Sequence, residues 1–85
     1  MVEKLRIYDQ DVWVVVEPHL EHMSTDNVHE YFTASYHTAD PVNYPQGILF
    51  TNSNQAPCMF DSPVQALAYA QETLLNTGVL KNSTV

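Results

Sequence analysis

Residues 12 to 16, Val-Trp-Val-Val-Val, limit the possible folds more than any other stretch of the chain. β-Branched and aromatic side chains suit a pleated strand, whose alternation sends Val12, Val14 and Val16 to one face and Trp13 and Val15 to the other. Both faces are therefore apolar, the pattern of a strand that is covered on both sides. Only one segment downstream reads as a helix, and one helix covers one face of a sheet. Two solutions follow. The N-terminal segment or the loop at 39–46 folds over the second face, or that face, with Trp13 and Val15 in it, is an interaction surface for another copy of the chain or for a different partner.

The helix is marked by Asp61-Ser62-Pro63-Val64-Gln65. Ser62 fits an N-cap, Pro63 the first helical position and Gln65 the third residue of a capping box, while Gly78 supplies the stop. The spacing predicts a helix over about 62–77. Val64, Leu67, Ala68, Gln71, Leu74 and Leu75 recur at helical intervals, which turns them toward a core and leaves Gln65, Tyr69, Glu72 and Asn76 facing away.

Everything upstream has the period of strands. Lys4 to Tyr8 and Val12 to Glu17 are separated by a turn at Asp9-Gln10-Asp11 and make a hairpin, with Pro18 ending its second strand. Residues 28 to 38 alternate except at Glu30, with Val28, Phe32, Ala34 and Tyr36 on one face and His29, Tyr31, Thr33, Ser35 and His37 on the other. Residues 39 to 46 hold two prolines and form a loop; Gly47 to Asn52 is a strand, 52–57 a turn, and Cys58 to Phe60 a short strand that leads into the helix. The fold class is α+β: an antiparallel sheet of four to five strands with one C-terminal helix packed on one face. It forms a single domain over 1–80, followed by a flexible tail at 81–85.

Charge narrows the function. Lys4, Arg6 and Lys81 are the only Lys or Arg, so none lies between Ile7 and Leu80, where there are nine carboxylates. Nucleic acids and anionic membranes are held by Lys and Arg, so direct binding to either is not expected, and a basic protein is the partner that fits. Aromatic residues such as Tyr31, Phe32 and Tyr36 lack the basic groove of a single-strand-binding sheet and belong to core or interface. The longest apolar run is far too short for a membrane span, and the start of the chain lacks the apolar core of a signal peptide. With Cys58 alone there is no internal disulfide, and a cytoplasmic protein is expected. Only Gly47 and Gly78 are glycine, which removes a glycine-rich phosphate cradle, and no stretch carries a cofactor signature.

All four histidines fall within residues 18–37, among Glu21, Asp26 and Glu30. His29 and His37 share a strand face but stand about 26 Å apart at about 3.3 Å per residue, so they cannot share an ion. His19, His22 and His29 remain as a possible metal set, with Asp26 or Glu30 as an oxygen ligand, because His-Leu-Glu-His puts two imidazoles one turn apart if the segment turns helically. A small metal-binding or histidine-dependent enzyme using these three is thus the alternative to a binder. On the binding reading the same stretch is the polar rim of an interface comprising Trp13, Val15, Glu17, Glu21, Asp26, Tyr31 and Glu30.

Val-Val-Val-Glu-Pro at 14–18 resembles the first core strand of the HicB family of toxin-antitoxin proteins. Residues 61–74, Asp-Ser-Pro-Val-Gln-Ala-Leu-Ala-Tyr-Ala-Gln-Glu-Thr-Leu, are similar to that family's capped, alanine-bearing helix. The resemblance implies a small antitoxin domain that neutralises a basic, RNA-cleaving toxin by covering its surface, usually as an oligomer. The expected function is that of an acidic, non-catalytic binding or regulatory module, without cofactor, acting as a homodimer on a basic, nucleic-acid-handling protein.

Overall fold

The computed structural model describes residues 1–77; Gly78, read as the helix stop, and the tail at 81–85 lie outside the described residues. The chain forms β1 (Val2–Ile7), β2 (Gln10–Ser24), β3 (Asn27–His37), β4 (Ile48–Leu49) and α1 (Pro63–Asn76). The strands lie in the sheet in chain order, all antiparallel, and the helix packs on one face, which is the α+β arrangement the sequence predicts.

The first hairpin turns at Tyr8 and Asp9, one residue earlier than its polar residues suggest, with φ of 52° and 61°. Two successive left-handed residues match the twist of the flanking strands, at some steric cost for a side chain as large as tyrosine. Tyr8 has an anchor there, because its hydroxyl donates to the Leu75 carbonyl at the end of α1.

β2 does not stop at Pro18. It continues to Ser24, paired with β3 from Trp13↔His37 through Pro18↔Phe32 to Ser24↔Asn27. Hydrogen-bond direction explains why proline fits. Met1 and Val16 exchange backbone bonds, so the even residues of β2 aim their N–H groups at the β1 side. Among the described residues the pairing with β1 reaches no further than Val16, so the missing donor of Pro18 breaks no ladder bond there. The result is a two-stranded arm, residues 18–31, which carries seven residues of β2 about 23 Å beyond the core at about 3.3 Å per residue.

On the other side, β3 is bordered by three short pieces. Ile48 pairs with Tyr36, Phe50 donates to the Ala34 carbonyl, and Phe60 exchanges both backbone bonds with Phe32. Between Phe50 and Phe60 the chain leaves the edge in a turn where Asn52 Oδ1 accepts from the Asn54 and Ala56 amides. Cys58 to Phe60 is therefore a bridge and not a separate strand.

The cap forms as predicted: Ser62 Oγ accepts from the Gln65 amide at 3.1 Å, and Gln65 Oε1 reaches back to accept from the Asp61 amide at 3.2 Å. The buried face is rotated from the expected stripe. Ala66, Ala70 and Leu74 are fully buried, whereas Val64 is 77% exposed and Leu75 41%. Ala68 and Gln71 also face solvent. Alanines at i and i+4 let the helix approach the sheet closely, and Ala66, Ala70 and Leu74 share one core with Ile7, Val12, Val14, Val16, Ala34, Tyr36 and Phe50. Close approach of small residues outweighed the larger area of Val64 and Leu75. Tyr69, expected to face away, is half-exposed and packs edge-on against Phe50, with ring centroids 5.9 Å apart. Its hydroxyl lies 3.8 Å from the Cys58 sulfur, and this hydrogen bond is the main reason the phenol's pKa stands above its usual 10.0.

Candidate functional site

The face of the sheet opposite α1 is only partly covered. From the open end of β2 outward it presents the cross-strand rows Trp13/His37, Val15/Ser35, Glu17/Thr33, His19/Tyr31 and Glu21/His29. The loop after β3 folds back over the first two rows, in line with one of the two solutions for the doubly apolar strand. Pro41, Val42, Pro45 and Gly47 wall a depression of about 470 Å³ above Val15, Ser35 and His37. A second depression of about 360 Å³ lies over His19, Tyr31 and Thr33, walled by Ala56, Pro57 and Met59. Glu17 and Leu49 line both, so the two form one groove along β2 with a carboxylate at its middle.

His37 anchors the covered end. It is 6% exposed, its Nε2 lies 3.4 Å from Ser35 Oγ, and its buried Nδ1 has no hydrogen-bond partner among the described residues. Gly47 rests directly on the ring: a Cβ there would stand 2.4 Å from Nε2. Only glycine lets the loop come this close to the sheet.

Further along, His19 Nε2 and Thr33 Oγ1 share a hydrogen bond of 2.8 Å, and the imidazole stacks on Tyr31 at 5.1 Å between centroids and 18° between planes. Thr33 is buried, and this bond satisfies its hydroxyl. His29 lies on the other side of Tyr31, 6.3 Å from it, with Nε2 4.0 Å from Asp61 Oδ1. At the opposite end, Lys4 Nζ sits 5.5 Å from the centre of the Trp13 ring and pairs with Asp11, as does Arg6. Both cations of β1 are thus engaged at the first row, while Glu17 and Glu21 have no ion-pair partner among the described residues.

Five of the seven residues read as an interface share this face: Trp13, Val15, Glu17, Glu21 and Tyr31. Asp26 sits in the turn at the tip of the arm, and Glu30, opposite Leu20, is on the other face. The proposed metal set comes apart in the same way. Because residues 19–22 are extended and not helical, His19 and His22 point to opposite faces, and His22 pairs with Val28 across the arm while His19 and His29 flank Tyr31. Among the described residues, no three His, Cys, Asp or Glu side chains are close enough to hold one ion. Thr33 and Leu49 join the groove from strands the sequence predicts, whereas Ala56, Pro57 and Met59 have no signal in the sequence, because the turn that brings them beside β3 has no periodicity to announce it.

Among the described residues, no helix is long and apolar enough to cross a membrane. No family model, curated protein or solved structure matches this chain.

Proposed function

We propose that this protein is a small, acidic, non-catalytic binding and regulatory module that holds a basic protein partner on the open face of its sheet. One observation carries the reading: the groove over Val15, Glu17 and Tyr31 combines apolar walls with an unpaired carboxylate in a stretch of chain that has no Lys or Arg from Ile7 to Leu80. A concave apolar surface with a lone negative charge favours a cationic, partly apolar guest. A protein that handles nucleic acid offers such a surface at its phosphate-binding site, and occupying that site would inhibit it. The resemblance to HicB antitoxins supports the same partner class. The reading places the protein in the cytoplasm, where the single Cys58 stays reduced.

The test is capture of partners from cell extract on immobilised protein, with elution by a salt gradient. Basic nucleic-acid-binding proteins released as salt rises from about 0.05 to 0.3 M are the expected result, since screening shortens the reach of charge to about a Debye length. Retention that is indifferent to salt, or an absence of basic proteins, would overturn it.

A homodimer is the second reading, favoured by the arm. On its helix-side face Leu20 is 65% exposed and Val28 48%, opposite each other in neighbouring pairs with no helix above them. Two arms packed through this face would bury both. Light scattering on the wild-type protein and on Leu20→Glu checks it: a dimeric mass that halves in the variant is expected, and a monomeric wild-type protein sinks the idea.

A further inference from the structure

We infer that the groove reads a pattern and not charge alone: an extended segment with Lys or Arg at one position and apolar side chains two residues before and two residues after it. This rests on the protein-binding reading above and adds to it the chemistry of the bound segment.

Three observations lead there. The two depressions meet at Glu17 and Leu49, so the single carboxylate of the groove lies between two apolar compartments. Along β2 those compartments are floored by Val15 and His19, each two residues from Glu17 on the same face. Four residues of strand span about 13 Å, and an extended guest lying along β2 repeats same-side positions at the same interval. Its residues p−2, p and p+2 therefore fall on the first compartment, Glu17 and the second compartment in turn.

The compartments are suited to side chains without charge. The first is walled by Pro41, Val42 and Pro45, and the second by Pro57 and Met59, with the stacked His19 and Tyr31 rings beneath. Neither contains a cation from Lys or Arg. Lys4 and Arg6 are held at the Trp13 row by Asp11, leaving Glu17 free for a guest cation. The intervening residues p−1 and p+1 point away from the sheet and are not selected. An acidic segment is disfavoured at Glu17, and a basic segment without flanking apolar residues leaves both compartments empty.

Two acetylated, amidated nonapeptides test the pattern: Gly-Ser-Val-Thr-Arg-Thr-Val-Ser-Gly, and a scramble of the same composition with the two valines adjacent at one end. Binding is followed by amide chemical shifts of the full-length protein, with an oligolysine as a third ligand. The patterned peptide is expected to shift Glu17, Thr33, Ser35, Val42 and Leu49 and to bind at least about fivefold more tightly than the scramble, since one lost apolar side chain is worth about 1 kcal/mol or more. Glu17→Gln should weaken the patterned peptide by about threefold to fivefold, the range of an exposed ion pair. Equal binding of pattern and scramble, or shifts confined to residues outside the groove, overturns this inference. If oligolysine still binds in that case, the broader acidic-binder reading stands without the pattern; if no cationic ligand binds, both fall.

Discussion

Replacing Gly47 by alanine tests the seat of the loop on the sheet. The added Cβ would lie 2.4 Å from His37 Nε2, 2.5 Å from Cε1 and 2.8 Å from Cδ2, all well inside van der Waals contact. Ordinary contact begins near 3.4 Å, so loop and ring must separate by about an ångström. The ring cannot yield cheaply, being 6% exposed in the row beside Trp13. Overpacking of this kind costs about 1–3 kcal/mol. Taking about 2 kcal/mol, and about 4–8 °C per kcal/mol for a domain of this size, the melting temperature should fall by roughly 8–16 °C. The backbone at Gly47 is not left-handed, so sterics alone set the sign. In a His37→Ala background the obstacle is gone, and Gly47→Ala should then stabilise by about 0.4–1 kcal/mol through the lower entropy of the unfolded chain. Urea denaturation of the four proteins gives the cycle, whose coupling is expected at about 2–3 kcal/mol. A wild-type-like Gly47→Ala, or an equal penalty in both backgrounds, refutes the claim that the ring and the loop are in such contact.

Leu74→Ala should cost about 2–5 kcal/mol in chemical denaturation, because the side chain is fully buried between α1 and the sheet, whereas Val64→Ala, at 77% exposure, should stay within about 0.5 kcal/mol. Pro18→Val should also change stability by less than about 0.5 kcal/mol, since residue 18 aims its nitrogen at a flank with no paired strand among the described residues; a larger change would mean that the flank is occupied. In alkaline absorbance titration Tyr69 should ionise above the usual tyrosine range, and Cys58→Ala should bring it back toward 10.0. Because the folded state holds this proton more tightly, its contribution to stability is complete below about pH 10 and is lost as pH rises through the raised value, so wild type should lose more stability than Cys58→Ala over that interval.

The elements that were legible in the sequence are those with a local chemical signature. Ser62, Pro63 and Gln65 announced the helix because capping satisfies backbone groups within four residues of chain. The alternation of β3, broken only at Glu30, announces its two faces, since both are buried over the half of the strand that ends at His37. The arm was not legible. Apart from half-buried His19, residues 18–24 are exposed, so little burial period is imposed on them, and Pro18 reads as a stop although only its neighbour across the sheet decides whether its missing donor matters. The histidine set failed with the arm, because spacing three apart means one face on a helix and opposite faces on a strand. The helix face is rotated for a different reason: apolar size points Val64 and Leu75 at the core, but the close seat on the sheet takes Ala66 and Ala70, with Leu74 one turn further. Of the candidate site, Trp13, Val15, Glu17, Glu21 and Tyr31 share a face as strand parity predicts, Leu49 joins them by pairing with Ser35, and Ala56, Pro57 and Met59 reach the groove through a turn.

Pro18 has a consequence for how this protein behaves in a crowd. Among the described residues no strand pairs with the outer flank of β2 beyond Val16, and an unpaired backbone edge is the sort of feature on which strands of other molecules accrete into fibrils. A proline at the head of that edge leaves a gap in the row of amide donors and blocks an incoming strand from zipping continuously onto it. Pro18, whose missing donor breaks no ladder bond among the described residues, is thus a residue whose replacement by a donor-bearing one would complete that row of amides and favour self-templated aggregation.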